Sequence, residues 1–291
     1  MLTRLAVGLL WLLHFLPLAL LAPLGQGIGL AAYALLGRRR RICLRNLELC
    51  FPDMPADQRR DVARSHFRWL GRSYLERGLL WWASEQRLRR LIRVEGREHV
   101  DAAKGAAILL APHFLGLDAA GARLNMEWDA VSMYSRQKNR VVDALLVKYR
   151  ARFRSVTLVS RQDGLRPVIR GIREGRQFYY LPDMDFGARE SIFVPFFGVP
   201  AATVPALPRL AKMTGAPVLP VWTRMLPGGA GYVVHIEPPF DGFPTADLAA
   251  DTRRMNEWIE SIALKPAMLA QYHWTHRRFK TRPPGERSVY D

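Results

Sequence analysis

The chain is predicted to fold as an α/β domain, a mixed central sheet flanked by helices, behind an apolar N-terminal membrane-anchor helix. Three observations lead there. From about residue 90, short apolar runs rich in β-branched and aromatic residues alternate with amphipathic stretches, the pattern of a sheet covered by helices. Leu5 to Gly37 carries no formal charge. The hydrophobic fraction is 49% of 291 residues, enough for a sizeable core. No long Gly/Ser linker, repeat or low-complexity run interrupts the remainder. Residues 1–37 are therefore read as an anchor and 38–291 as one domain.

The N-terminal stretch Leu5–Ala22 would be about 27 Å long as a helix, just short of a bilayer core. Pro17 and Pro23 should kink or end it, and Gly25, Gly27 and Gly29 should loosen the next turns of chain. It either spans once or enters one leaflet and returns. Only Arg4 precedes it, while Arg38-Arg39-Arg40-Arg41 comes soon after. An arginine block there resists translocation and marks the cytoplasmic side, favouring a retained anchor over a cleaved signal.

A long helix is expected over Ala56–Trp82. Ala63, Phe67, Leu70 and Tyr74 form its apolar stripe; Arg60, Arg64, Arg68 and Arg72 form a basic one. Interfacial aromatics, Trp81-Trp82, close it. Such a helix suits an anionic membrane surface. Strands are expected at Leu91–Glu95, Ala106–Ala111, Ala130–Tyr134, Val156–Val159, Gln177–Leu181, Pro217–Arg224 and Tyr232–Glu237. Helices are expected at Leu117–Asn125, Val141–Phe153, Leu165–Glu174, Thr203–Thr214 and Thr245–Ala263.

Formal net charge is +17, so the surface seeks polyanions. Between Arg38 and Glu98 stand 16 arginines against 8 carboxylates. Directly behind an apolar anchor, that surplus favours phospholipid headgroups over nucleic acid. Cys43 and Cys50 fit neither a zinc site nor a disulfide framework and read as packing thiols.

The segment that carries chemistry is Ala106–Asp118. A buried strand leads into Pro112-His113-Phe114-Leu115-Gly116-Leu117-Asp118. On one helix, residues five apart point roughly 140° apart. Across a strand-to-helix turn they can converge, and a carboxylate beside an imidazole makes a general base for an alcohol. Seven histidines and 26 carboxylates produce about 0.6 such spacings by chance, so the spacing alone is weak. The competing reading is a structural histidine next to Asp118 as a helix cap.

In open α/β sheets ligands bind beyond the carboxyl ends of strands, where His113 should lie. Arg136, Lys138 and Asn139 come after another strand and precede a helix, a plausible phosphate or carboxylate site. Asp183, Asp185 and Gly187 come after a third; the two acids either bind substrate hydroxyls or cap turns. No third metal ligand is close in sequence, so no metal is expected. There is no Gly-x-Ser-x-Gly elbow, P-loop or dinucleotide fingerprint. Direct attack, with no cofactor and no covalent intermediate, is the simplest mechanism.

Taken in order, these pieces resemble the late acyltransferases of lipid A biosynthesis. The resemblance runs through Arg45-Asn46-Leu47 with Phe51-Pro52, the His113 turn, and Arg136-x-Lys138-Asn139. It continues in Pro182-Asp183-x-Asp185-x-Gly187, Val194-Pro195-Phe196-Phe197-Gly198 and Pro217–Val221, and ends in Gln271-Tyr272-x-Trp274-x-His276-Arg277-Arg278. The resemblance implies a glycerolipid acyltransferase-like fold on the cytoplasmic face of a bacterial inner membrane. It implies acyl transfer from acyl carrier protein, or an acyl-CoA, to a hydroxyl of a phosphorylated lipid A precursor. It maps the family's His-x-x-x-x-acid pair onto His113 as general base and Asp118 as its orienting partner, with Arg136 near acceptor phosphate. Aspartate stands here where the lipid A enzymes commonly have glutamate. Pro182-Asp183-Met184 replaces the Pro-Glu-Gly of the glycerolipid enzymes, which argues against glycerol 3-phosphate as acceptor.

Two apolar or basic runs keep two readings each. Phe193–Pro200 lines an acyl tunnel or packs in the core. His276–Lys280 touches anionic headgroups or forms a basic tail. Two other functions stay open beside the leading one. One is an acyltransferase for another glycolipid, aminolipid or phospholipid. The other is a non-catalytic, membrane-tethered anion-binding protein.

Overall fold

Pro17 is where the apolar N-terminus breaks. In a computed structural model, which describes residues 2–103, 105–160 and 163–290, two helices replace the one expected. They are α1 (Leu2–Leu13) and α2 (Leu18–Leu35), and Pro17 is the residue preceding α2. Pro23 does not end α2 but sits inside it, forgoing one backbone hydrogen bond.

The long basic helix is also divided, into α4 (Ala56–Leu75) and α5 (Arg77–Trp82), after α3 (Gly37–Cys50). Helix α2 lies along α4 through glycines. A Cβ on Gly29 would stand 2.0 Å from the carbonyl oxygen of Phe67, and one on Gly71 would stand 2.2 Å from that of Gly25. Backbones this close admit only glycine. The N-terminal segment is thus fastened to the rest of the chain across residue 37.

That contact changes the fate of one arginine. Arg60, Arg64 and Arg68 point outward to differing degrees, as the basic stripe requires, but Arg72 is fully buried beneath α2. Its Nε donates to Glu76 Oε1 at 2.6 Å and its terminal nitrogen donates to the Leu226 carbonyl at 2.8 Å. The Tyr232 hydroxyl donates to the same carboxylate. Tyr74, expected in the apolar stripe, is 56% exposed.

After α6 (Glu85–Leu91) the chain alternates. The elements are β1 (Ile92–Glu95), α7 (Arg97–Ala102), β2 (Ile108–Leu110), α8 (Leu117–Leu124), β3 (Ala130–Tyr134), α9 (Arg140–Arg150), β4 (Val156–Ser160), α10 (Arg166–Arg173), β5 (Gln177–Tyr180), β6 (Ile192–Phe196), β7 (Val199–Thr203), α11 (Ala206–Thr214), β8 (Val218–Met225), β9 (Tyr232–Ile236) and α12 (Leu248–Ala263). Seven strands form one mixed sheet in the order β1-β9-β8-β2-β5-β3-β4. Strands β8, β2, β5, β3 and β4 run parallel, while β9 is antiparallel to β8. All seven predicted strands belong to this sheet.

Strand β2 sits at its centre, buried on both faces. Ile108 and Leu110 join a core with α4, α10, α11 and α12; Ala107, Leu109 and Ala111 join a second core with α5 and α8. This alternation is why the run reads as continuously apolar. The hairpin β6–β7 stands apart from the main sheet. Val194 and Phe196 are buried in packing whereas Pro195, Gly198 and Pro200 are exposed, so one face of Phe193–Pro200 belongs to the core.

Candidate active site

Register, not sequence proximity, assembles the site. Strands β2 and β5 are parallel neighbours with Leu110 opposite Tyr180. The Ala111 N–H still donates to the Tyr180 carbonyl at 2.8 Å. Three residues beyond that pair, each chain segment delivers a functional side chain: His113 from β2 and Asp183 from β5. His113 Nδ1 lies 2.7 Å from Asp183 Oδ1, and the His113 backbone N–H donates to Asp183 Oδ2 at 3.0 Å. The Tyr272 hydroxyl donates to the same Oδ2 at 3.0 Å.

Tyr272 arrives from the C-terminal segment, which pairs with the His113 turn. The His273 N–H donates to the His113 carbonyl at 3.0 Å, and the Leu115 N–H donates to the Gln271 carbonyl at 2.8 Å. Gln271 is itself held by the main chain of Met225 at the end of β8.

Asp183 is buried, which alone would raise its pKa. Attraction to the His113 ring, the two N–H donors of that residue and the field of Arg278 outweigh burial, so its pKa falls below the ordinary range. Asp183 is therefore a carboxylate at neutral pH. It accepts the Nδ1 proton and leaves Nε2 as the basic nitrogen. Around this pair lie uncharged imidazoles. Burial lowers His273 to about 3 and His66 and His276 to about 4.

The expected hydrogen bond between His113 and Asp118 is absent among the described residues. Asp118 is one residue into α8 and turns toward α5, where Arg77 donates to its Oδ2 at 2.6 Å. Burial would raise the Asp118 pKa, but Arg77, Arg150 and, more weakly, His113 lower it. The carboxylate is thus electrostatically near the imidazole without orienting it. A strand-to-helix turn brought the two close, but α5 supplied a better partner.

His113 opens on a cleft of about 560 Å³, within the size range of ligand sites. Its walls include Met133, Leu146, Leu158, Leu165, Leu181 and Phe186. Asp118 lines a smaller apolar pocket of about 90 Å³ with Leu80, Trp81, Leu124 and Trp128. Leu146, Arg150, Tyr179 and Leu181 border both spaces.

The other predicted substrate-binding residues fare unevenly. Arg136 and Lys138 are exposed on the loop before α9, flanking Gln137 of the cleft wall. Asn139 is the N-cap of α9, accepting from Val141 N–H at 3.0 Å, and its amide donates to Thr3 of α1. Asp185 is buried and accepts from Gly187 N–H at 2.9 Å and from the Thr281 N–H and hydroxyl, each at 2.7 Å. It fastens the C-terminal segment to the loop. Gly187 supplies the left-handed turn, φ 98°, that lets this happen.

His276 accepts from the Asp185 N–H at 3.1 Å, and Arg278 is buried against the Ala202 carbonyl and Thr203 hydroxyl. These two residues are therefore interior structure rather than headgroup contacts. Nothing local in the sequence marks Arg77 or Tyr272 for these roles. Only the parallel register, three residues past a β2–β5 pair, could have paired His113 with Asp183 beforehand.

A family described as bacterial lipid A biosynthesis acyltransferase matches residues 1–281. The chain belongs to that family. The lauroyltransferase of lipid A biosynthesis from Escherichia coli K12 is 37% identical over 99% of this chain and 94% of its own length. The palmitoleoyltransferase of the same organism is 33% identical over 99% and 94%. Its myristoyltransferase is 31% identical over 86% and 78%. Among solved structures, the 1-acyl-sn-glycerophosphate (LPA) acyltransferase PlsC of Thermotoga maritima is a distant likeness. It has 17% identity and a TM-score of 0.34, covering 83% of this chain and 96% of that one. The chain is an acyltransferase of lipid A biosynthesis, and a lipid A precursor is the acceptor the family implies. The three relatives carry three different acyl names, so resemblance alone selects no chain length.

Proposed function

We propose that this enzyme moves a fatty acyl group from a carrier-protein thioester to a hydroxyl of a phosphorylated lipid A precursor, working at the cytoplasmic face of the inner membrane. The observation that carries the chemistry is the His113–Asp183 pair at an apolar cleft. Asp183 holds the Nδ1 proton, so Nε2 takes the proton of the acceptor hydroxyl as its oxygen attacks the thioester carbonyl. The tetrahedral intermediate collapses by breaking the carbon–sulfur bond. The departing thiolate receives the proton from His113, leaving ester and free thiol. His113 is the general base and Asp183 its positioning residue. Asp118 acts one step back, holding Arg77 and adding negative potential beside the imidazolium. Met133, Leu146, Leu158 and Phe186 offer the acyl chain an apolar wall. Arg136 and Lys138, exposed at the same edge, suit a lipid phosphate.

Membrane location is supported by the outer faces of α1 and α2. Leu5, Leu9, Leu12, Phe15, Leu20 and Leu24 are all about half exposed or more. Helix α2 is long and apolar enough to cross a membrane, yet its glycine side is occupied by α4. Immersion of the outward leucines in one leaflet accommodates both facts. The contact of Thr3 with Asn139 sets α1 beside the cleft.

The test is His113→Ala, assayed for transfer to a lipid A precursor and by mass spectrometry of lipid A from cells. Loss of a general base should cost about 10²- to 10⁴-fold in kcat, with the circular dichroism spectrum and membrane fractionation unchanged. Full activity in that variant refutes the assignment.

A further inference from the structure

Helices α10 and α11 pack against each other and have one composition in common. Each buries an apolar side, Val168 and Ile172 in one, Leu207 and Leu210 in the other. Each turns only cations outward among its charged residues: Arg166, Arg170 and Arg173 from α10, Arg209 and Lys212 from α11, all exposed. Neither helix contains an acid. Among the described residues, none of the five forms an ion pair, and the neighbouring Glu174 is paired with Arg176 instead. Arg64, Arg89, Arg97 and Arg253 have carboxylate partners, while Arg60, Arg68 and Arg136, also exposed, form no ion pair among the described residues. What sets α10 and α11 apart is that two adjoining helices carry five such cations and no acid. Five unneutralised cations on two adjoining helices repel one another and gain from an anionic partner.

Position narrows the partner. Leu165 and Arg209, at the start of α10 and within α11, line the same 560 Å³ cleft as His113. The pair lies over the sheet face whose core includes α12, whereas Leu10 and Leu13 of α1 belong to the opposite core. The cationic face is therefore separate from the apolar leucines of α1. A bilayer surface would need both together; an acidic protein would not.

We infer that the α10–α11 face is the docking surface for the donor, an acidic carrier protein whose thioester arm enters the cleft past Leu165 and Arg209. This rests on the carrier-protein reading above and adds the place where the carrier binds. Charge complementarity of this kind sets encounter rate and register.

The experiment is the charge reversal Arg170→Glu/Arg173→Glu/Lys212→Glu in the full-length enzyme, assayed with acyl carrier protein thioester and with an uncharged acyl-pantetheine thioester. The expected result is a fall of about tenfold or more in the carrier-to-pantetheine ratio of kcat/KM, carried by the carrier's KM and shrinking as salt is raised. An unchanged ratio overturns the inference, as does equal loss with both donors. A variant that loses binding to anionic phospholipid vesicles while keeping the ratio makes this face a membrane surface and also overturns it. A wild-type enzyme that uses pantetheine thioester as well as the carrier fails the donor reading itself, whatever the variant does.

Discussion

The imidazole of His113 answers to a carboxylate 70 residues away, while the acid five residues on serves an arginine. The two should separate on mutation. Asp183→Asn removes the acceptor of the Nδ1 proton and allows the wrong tautomer, so kcat should fall on the order of 10²-fold or more. Asp118→Asn should cost distinctly less, because Arg77 rather than His113 loses its partner. Steady-state kinetics of both variants settles the order, and equal losses would contradict it. Tyr272→Phe keeps its ring against Phe114 and Phe196 and deletes one hydrogen bond to a charged group. About a tenfold loss in kcat is expected. Buried histidines add a pH signature. His66 and His276 are lowered to about 4 by burial, so in the unfolded chain they bind protons that the native state refuses. Their neutral form favours folding at pH 7, and that contribution is lost as pH falls from about 6.5 toward 4, by about 1.4 kcal/mol per pH unit per group. Thermal melts across that window should show falling Tm. A His66→Gln variant should show a shallower slope.

Among elements, the α2–α4 pair explains how an apolar segment that reads as an anchor is also part of the folded body. Their approach depends on Gly29 and Gly71, where added methyl groups meet backbone. Gly29→Ala should destabilise by about 1–3 kcal/mol. Gly27→Ala, with nothing within 4 Å, should be neutral or stabilise by up to about 1 kcal/mol. Thermal denaturation of the two in detergent compares them directly; similar losses at both sites would mean that the packing is not glycine-dependent. The same contact accounts for Arg72. Helical spacing placed it on an outward basic stripe suited to an anionic membrane surface, and it is inside because α2 covers that turn of α4. Periodicity describes the helix it belongs to and is blind to a second helix laid across it.

At the scale of the whole molecule, α1 reaches the cleft edge through Thr3 and Asn139, the cations of α10 and α11 lie over the sheet face opposite the core that Leu10 and Leu13 join, and Arg136 with Lys138 stands at the rim. Leu9→Glu/Leu12→Glu should shift the protein from the membrane to the soluble fraction while leaving its melting temperature within a few degrees, since both side chains are more than half exposed. Retention of full membrane association would contradict a leaflet-embedded hairpin.

Local pattern was enough for the seven strands of the sheet, helices α8 to α12 and the histidine at a strand end, but not for the short α7 between β1 and β2. Apolar alternation and turn residues act over a few neighbours, and a single sequence displays them openly. The small hairpin β6–β7 escaped, because Phe193–Pro200 is interrupted by prolines and glycine and lacks clear alternation. The partner of His113 and the inward turn of Asp185, His276 and Arg278 were decided in three dimensions, whereas Asn139 caps α9 through its own near neighbours. Strand order put β5 beside β2, so that Asp183 met His113. The closing C-terminal segment then brought Tyr272 and Thr281 to carboxylates that spacing alone could not distinguish. Which acid serves an imidazole depends on which backbone ends beside it, and that is a property of the assembled sheet.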